Sequence, residues 1–285
     1  MKLSQIQYVR PNKDELLVKF DEFKQRLTSA KSVEEFYAVH EEYRQFSIDT
    51  GTNMRIAFIR FTQDTRNEFY AAEQDYLDEL TPEIAVASAE VAKCYLATPF
   101  RKQIEQRFPA VMFTNLQMAV DAANPAIVAD RVEENKLTTS YTKLMSSIVI
   151  DFNGEKLTMA GIGKYFSHPD RELRKKAVYA WGQALKDNGA ALDEIYDKLV
   201  AVRTKMGKKC GYEGYSPLGY LNMQRNCYGK EDIAKFRANV LKYLVPLSNK
   251  IRNKVRRDLG IEKQYYYDYS VFTKVEPKPH GTPEQ

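Results

Sequence analysis

Leu16, Phe20, Phe23 and Leu27 recur at steps of three and four residues, which gathers them on one face and predicts a helix. Ser32 with Glu35 has the spacing of a capping box, in which hydroxyl and carboxylate each satisfy an orphan backbone N–H. The helix it opens turns Val33, Phe36, Tyr37 and Tyr43 to one side. A further helix is predicted from about Thr52 to Leu80, carrying Ala57, Phe61, Phe69, Ala72 and Tyr76. Thr81-Pro82 and Thr98-Pro99 each pair a capping hydroxyl with a proline at the first helical position, where its missing N–H costs nothing. Pro109 and Pro125 punctuate the next stretch, and another helix is expected over about Ala126 to Met145.

The pattern then shortens. Ser147 to Phe152 is β-branched, Asn153-Gly154 comes next, and Glu155 to Thr158 is a second short run. Asn-Gly between two such runs predicts a hairpin, because both turn positions need positive φ. It is the main β element expected in the chain. Helices resume at Pro169-Asp170-Arg171-Glu172, where the acidic first turn suits the helix dipole. Another helix runs from about Ala190 to Lys209 and stops at Gly211. A last long helix covers about Lys230 to Leu259, with Leu244, Leu247, Ile251 and Val255 expected to face inward. Beyond Gly260 the tyrosine run 265–269 and then Pro277, Pro279 and Pro283 read as a connector. The fold class is mostly α with one hairpin around Asn153-Gly154.

At 285 residues and 44% hydrophobic composition the chain can bury a sizeable core without staples, which excludes disordered, collagen-like and disulfide-framed classes. No apolar run reaches the length of a membrane span. Forty-three Lys and Arg against 38 Asp and Glu give +5, too mild for a dedicated nucleic-acid binder. Cys94, Cys210 and Cys227 are odd in number and lack C-x-x-C spacing, so they read as reduced thiols. The N-terminus lacks the apolar stretch of a secretory signal, and the expected location is the cytoplasm.

Zinc-hydrolase chemistry is the first to seek in a helical protein. His40-Glu41-Glu42-Tyr43-Arg44 begins like H-E-x-x-H but ends in Arg44, so a second imidazole one turn on is missing. His168 stands at a helix start and reads as a capping or loop residue, and His280 lies in the terminal proline-rich stretch. Gly161-Ile-Gly163 lacks the third glycine of a phosphate loop and reads as a short helix after the hairpin. The run Lys250, Arg252, Lys254, Arg256 and Arg257 reads as the solvated face of an amphipathic helix, not a nucleic-acid strip. Of 19 tyrosines, Tyr212, Tyr215, Tyr220 and Tyr228 cluster in and after a glycine loop. Tyr212, Tyr215 and Tyr220 are the candidate peptide-contacting residues, since aromatic bodies with a polar tip suit peptide recognition at low entropic cost. No complete catalytic set is found.

The stretch Ile148 to Thr158, followed by Tyr165 to Ala177, resembles oligoendopeptidase F and its relatives in the thimet oligopeptidase group. So do Ile195 to Met206 leading into Cys210-Gly-Tyr212, Met223 to Asn226, Phe236-Arg237, Val245-Pro-Leu247 and Tyr267-Asp268-Tyr269, in the same order. The resemblance covers nearly the whole chain.

It implies a zinc metallo-oligopeptidase, a helical ellipsoid with a channel that admits short peptides. The H-E-x-x-H helix, the downstream glutamate and the His and Tyr that stabilise the oxyanion lie, in that family, C-terminal to everything seen here. No catalytic or metal residue is therefore transferred to any position. The implied assignment is residues 1–139 as an N-terminal helical lobe and 140–285 as the first part of the catalytic domain, lacking its zinc-binding half. Zinc belongs to the full-length relative and none is expected on this chain. The implied partners are short peptides and the missing C-terminal catalytic half, with neither nucleic acid nor membrane. The chain alone is expected to be inactive and prone to self-association; the alternative is a non-catalytic helical scaffold that binds peptides or a partner.

Overall fold

The structure, a computed structural model, describes residues 5–273. The helices are α1 (Lys13–Ser29), α2 (Val33–Gln63), α3 (Glu68–Ala97), α4 (Arg101–Arg107), α5 (Val111–Ala122) and α6 (Val128–Ser147). Strands β1 (Val149–Phe152) and β2 (Glu155–Thr158) then form an antiparallel hairpin, pairing Ile150 with Leu157. After it come α7 (Arg171–Asp187), α8 (Gly189–Lys209), α9 (Ser216–Asn222), α10 (Lys230–Asn239) and α11 (Val245–Asp258). The mostly α class with one hairpin is what the pattern predicts.

The chain divides into two compact units. One comprises the residues up to Lys143 together with Leu192–Cys227; the other comprises Leu144–Ala191 and the residues from Tyr228 onward. The chain leaves the first unit within α6, re-enters it within α8 and leaves again after α9.

The first unit is built on the predicted apolar faces. Phe20, Phe23 and Leu27 of α1 are buried against Phe36 and Val39 of α2, Val91 and Tyr95 of α3, Ile104 of α4 and Phe113 of α5. A second cluster joins Leu16, Ala57, Leu77 and Leu80. The helix ends show where local chemistry decided the outcome. Ser32 caps α2 through the Glu35 N–H at 3.2 Å, but the Glu35 carboxylate accepts from the Lys31 N–H, one residue before the one a reciprocal box would use.

Two expectations about helix boundaries fail here. The predicted helix from Thr52 to Leu80 does not exist: α2 continues through Gly51 to Gln63, and the break falls at residues 64–67, where Asn67 caps α3 by accepting from the Tyr70 N–H. Thr81-Pro82 does not start a helix either; Pro82 lies inside α3. Proline there deprives the Asp78 carbonyl of its i+4 donor, a loss that would ordinarily break the helix. The Asn135 side chain of α6 supplies the donor instead, at 2.9 Å to the Asp78 carbonyl and 3.2 Å to the Thr81 hydroxyl, which itself donates to the Leu77 carbonyl. Thr98-Pro99 stands at a junction but not as the expected cap: the Thr98 hydroxyl accepts from the Phe100 N–H, and α4 begins at Arg101 with Phe100 in the cap position.

In the second unit Ile148 and Ile150 pack with Ile162, Tyr165 and Ala177 beneath the hairpin. Asn153 and Gly154 take φ of 52° and 79°, as the two-residue turn requires. Asp170 caps α7 by accepting from the Glu172 and Leu173 N–H groups. The tyrosine run is more than a connector. Asp268 is wholly buried and takes both Arg171, at 2.9 Å through each carboxylate oxygen, and Arg174, at 3.1 Å. Arg174 is itself 3% exposed, and its remaining donors go to the carbonyls of Tyr267, His168 and Pro169. Burial alone would raise the Asp268 carboxyl, but the guanidinium and backbone hydrogen bonds outweigh it and hold the group below its ordinary range.

The predicted helix from Lys230 to Leu259 is interrupted by a π-turn over Val240–Leu244, directly before Pro246. Proline has no N–H for the carbonyl one turn back, and the wide turn absorbs the fault. The expectation that Leu244, Leu247 and Ile251 face inward is wrong: they are 54%, 53% and 50% exposed, and Val255 is half-buried. Amphipathic spacing marks a face that can be buried, and no described element of this unit covers it.

Removing the Asn135 amide with Asn135→Ala strands the Asp78 carbonyl and is expected to cost about 1–2 kcal/mol in urea unfolding. Pro82→Ala restores a helical donor to that carbonyl, so the double variant is expected to regain part of the loss. Asp268→Asn breaks a buried ion-paired carboxylate and is expected to cost about 3 kcal/mol at neutral pH. Since the folded-state pKa is depressed, the stabilisation is present above the unfolded value of about 4 and is lost as pH falls through the folded one. Unfolding curves of wild type and variant are therefore expected to converge in acid.

Candidate functional site

The first unit contains a cavity of about 400 Å³ walled by α3, the end of α5, the start of α6 and the end of α9. Its apolar wall is made of small side chains: Pro82, Ala85 and Ala89 on α3, with Ala119 and Ala122 on α5. Alanines four residues apart on α3 lie on one face, which leaves space between helices instead of filling it. Asn124, Arg131, Asn135, Asn222 and Gln224 bring polar atoms to the rim. A mainly apolar concavity with a few convergent polar groups is the ordinary form of a binding pocket.

The rim is wired to buried charge. Arg203 on α8 donates to Glu134 at 2.7 Å, Arg131 donates to the other Glu134 oxygen at 3.1 Å and to the Asn222 side-chain oxygen at 2.8 Å, and Asn222 donates to the Tyr215 hydroxyl at 3.3 Å. One turn before Glu134, buried Asp130 is paired with Lys205 at 2.7 Å and Lys209 at 2.5 Å. Burial pushes the Asp130 carboxyl up, and the two ammonium groups more than reverse it, leaving it below its usual range. These pairs fix α8 on α6 and so set the position of the loop that succeeds α8.

That loop carries the candidate tyrosines. Gly211 takes φ of +84° and ends α8, and the Tyr212 N–H returns to the Gly207 carbonyl at 3.0 Å. A Cβ on Gly207 would lie 2.3 Å from the Gly214 carbonyl oxygen, so only glycine lets the loop backbone rest on α8. Tyr212 and Tyr215 pack on the buried cluster of Ile127, Met206 and Leu218. The structure brings Tyr215 to the cavity rim through Asn222, whereas Tyr212 serves the core beneath the loop. Tyr220 is half-buried, with the Arg225 guanidinium 4.4 Å above its ring. Tyr228 falls in the second unit. Sequence reasoning singled out the tyrosines and missed the cavity wall, whose alanines lie on separate helices.

A neighbouring cavity of about 420 Å³ lies on the other side of Thr81 and Asn135, between α2, α3 and α6. It contains Asp78, which accepts from Thr139 at 2.7 Å and from Gln74 at 2.8 Å. Burial raises the Asp78 carboxyl, and these two hydrogen bonds only partly oppose it.

The residues present do not fit a zinc site. Among the described residues no group of three His, Cys, Asp or Glu side chains is placed to hold a metal. His40 shares a 2.8 Å hydrogen bond with the Tyr95 hydroxyl, stacks edge-on to Phe108, and is pushed down in pKa by burial. His168 accepts from the N–H of Asp170, the cap of α7, at 3.1 Å, and so stands in the loop before that helix. His280 lies outside the described residues, as do Pro277, Pro279 and Pro283. Gly161–Tyr165 is a short 3₁₀ turn. In the basic run, Lys254 pairs with Asp258, Arg256 donates to the carbonyls of Ile261 and Glu262, and Arg252 covers the Tyr269 ring. Cys94, Cys210 and Cys227 are free thiols. No helix among the described residues is long and apolar enough to cross a membrane.

Gln224, on the rim, holds φ of +49°, a left-handed conformation that costs a side chain about 1 kcal/mol. Gln224→Gly is expected to raise the urea midpoint by a corresponding amount, and an unchanged or lower midpoint would show that the Gln224 side chain stabilises the turn.

Comparison with known proteins gives a consistent result. Residues 3–123, which contain α1 to α5, match the Peptidase M3 N-terminal domain. Among solved structures, PZ peptidase A with inhibitor 2 is 36% identical with a TM-score of 0.93, and the match covers 99% of this chain and 50% of that one. An oligoendopeptidase F from Bacillus anthracis str. Ames is 33% identical with a TM-score of 0.91, covering 99% and 52%. A further oligoendopeptidase F structure is 33% identical with a TM-score of 0.94, covering 100% and 50%. The chain thus spans about half the length of the solved structures it matches. No curated protein matches the sequence significantly.

Proposed function

We propose that this chain, which corresponds to the N-terminal half of M3-family oligoendopeptidases, forms the non-catalytic half of a zinc metallo-oligopeptidase that cleaves internal bonds of short peptides. The observation that carries this reading is the match itself: essentially all of this chain, and about half of each peptidase, at 33–36% identity. The described histidines are committed to Tyr95 and to the α7 cap, so the zinc, its ligands and the general base are assigned to the other half.

What this half contributes is peptide contact. The alanine-walled cavity accepts an apolar side chain of the peptide, and the amides of Asn222 and Gln224 at its rim offer donors and acceptors to the peptide backbone. Tyr215, bonded to the rim residue Asn222, presents aromatic surface beside it, and Tyr220, with its ring held beneath Arg225, is assigned to the same peptide contact. Tyr212 supports that surface from below. The working compartment of such an enzyme is the cytoplasm.

The purified chain alone is expected to leave a quenched fluorescent peptide intact. Co-expression with the C-terminal half of PZ peptidase A is expected to give cleavage that a chelator abolishes. Chelator-sensitive cleavage by the chain alone would overturn the assignment of the metal site. Peptide binding without cleavage in the co-expressed sample would favour a non-catalytic scaffold.

A further inference from the structure

Buried carboxylates in this chain follow a rule with one exception. Among the described residues Glu73, Asp130, Glu134 and Asp268 are buried, and each is paired with at least one cationic side chain. Asp78 is buried as well and has no such pair; its donors are the Thr139 hydroxyl and the Gln74 amide. A carboxylate taken out of water without a counter-charge is costly, and beside a cavity it marks a candidate ligand site.

The cavity is the one of about 420 Å³ between α2, α3 and α6, the size of a small-molecule pocket. Gln74 lines it too. Its amide nitrogen is turned to the Asp78 carboxylate at 2.8 Å, which turns its oxygen away, and that oxygen is buried and finds no donor in the protein. Thr138 adds a further acceptor: its hydroxyl gives its proton to the Glu134 carbonyl at 2.9 Å, leaving the oxygen's lone pairs free to accept. Met54, Phe58 and Phe61 supply apolar and aromatic wall. The cations nearby are engaged elsewhere. Arg55 lies 5.8 Å from the Phe58 ring, and Lys143 pairs with Asp75 at 3.2 Å and lies 5.8 Å from the Phe61 ring.

Such a lining calls for a positive group with several N–H donors. A primary ammonium has three and no acceptor, and aromatic faces attract cations. We propose that this cavity binds a primary ammonium group on an apolar stem: the ammonium donates to Asp78 and to the Gln74 oxygen, and the stem lies against Met54, Phe58 and Phe61. The cavity is lined wholly by the first unit and asks nothing of a catalytic half, so it stands or falls apart from the proposed function.

The full chain is to be titrated with n-hexylammonium chloride by isothermal calorimetry. Saturable binding is expected, whereas n-hexanol, which has no charge, and tetraethylammonium, which has no N–H, are expected to bind at least tenfold more weakly. Asp78→Asn removes the charge and keeps an acceptor for Thr139, so it is expected to weaken amine binding at least tenfold with a urea midpoint unchanged or higher. Phe58→Ala, at an exposed position, is expected to weaken it several-fold with an unchanged circular dichroism spectrum. Competition identifies the source: displacement by Nα-acetyl-lysine amide assigns the site to a lysine side chain, displacement by leucine amide to a peptide N-terminus, and displacement by neither to a free amine. If no amine binds, or if Asp78→Asn binds it as well as wild type, Asp78 is a structural carboxyl and the proposal is overturned. Equal binding of n-hexanol overturns it too, because the cavity then selects only apolar volume.

Discussion

Proline at position 82 removes one donor from the middle of a 30-residue helix, and the first unit is organised around its replacement. An unpaired carbonyl in the interior of α3 would cost about as much as a lost hydrogen bond and would invite the helix to end there. Asn135 prevents this, and in doing so it pins α6 against α3 at a defined register. Thr81 and Asn135 border both cavities of this unit, so the same contact separates the alanine-walled cavity from the one that contains Asp78. From α6 the constraint passes to α8 through Asp130 and Glu134, and from α8 to the tyrosine loop through Gly207. The position of Tyr215 thus traces back to a side chain that repairs a proline.

Buried carboxylates do similar work in each unit. Asp130, Glu134 and Asp268 are nearly or wholly inaccessible, and each holds two cationic side chains. Taking such charges out of water is expensive, so these clusters say little about net stability. Their value lies in direction. A guanidinium fork meets a carboxylate in few geometries, so Asp268 fixes where the chain after α11 must run. Asp78 differs in kind: its hydrogen bonds come from a hydroxyl and an amide, and its carboxyl is raised, not lowered.

What the sequence disclosed tracks the range of the forces involved. Phe20, Phe23 and Leu27 were legible because helix periodicity is local, and Asn153-Gly154 because a two-residue turn needs only itself. Asp170 was legible at the start of α7 for the same reason. Thr81-Pro82 carries the local chemistry of a helix start as faithfully as Thr98-Pro99 does. The difference lies in Asn135, 54 residues further along the chain from Thr81, which no local pattern reveals. Asp268 reads as a turn residue until Arg171, 97 residues earlier, is seen to hold it. Of the candidate site, the glycine-punctuated tyrosine loop was visible. The cavity beside it was not, because alanines on separate helices define an empty space only after those helices are packed.

The seam on α10 and α11 shows the limit of periodicity from the other side. Spacing of three and four correctly identified one face of Leu244, Leu247, Ile251 and Val255, but a face is inward only if something covers it. Full burial of an aliphatic side chain is worth about 1.5–3 kcal/mol, and half-exposed ones leave much of that unrealised. A stripe of such positions leaves apolar surface in water that burial would stabilise. The π-turn before Pro246 belongs to the same logic. By widening one turn it carries the chain from α10 into α11 past a residue that cannot donate.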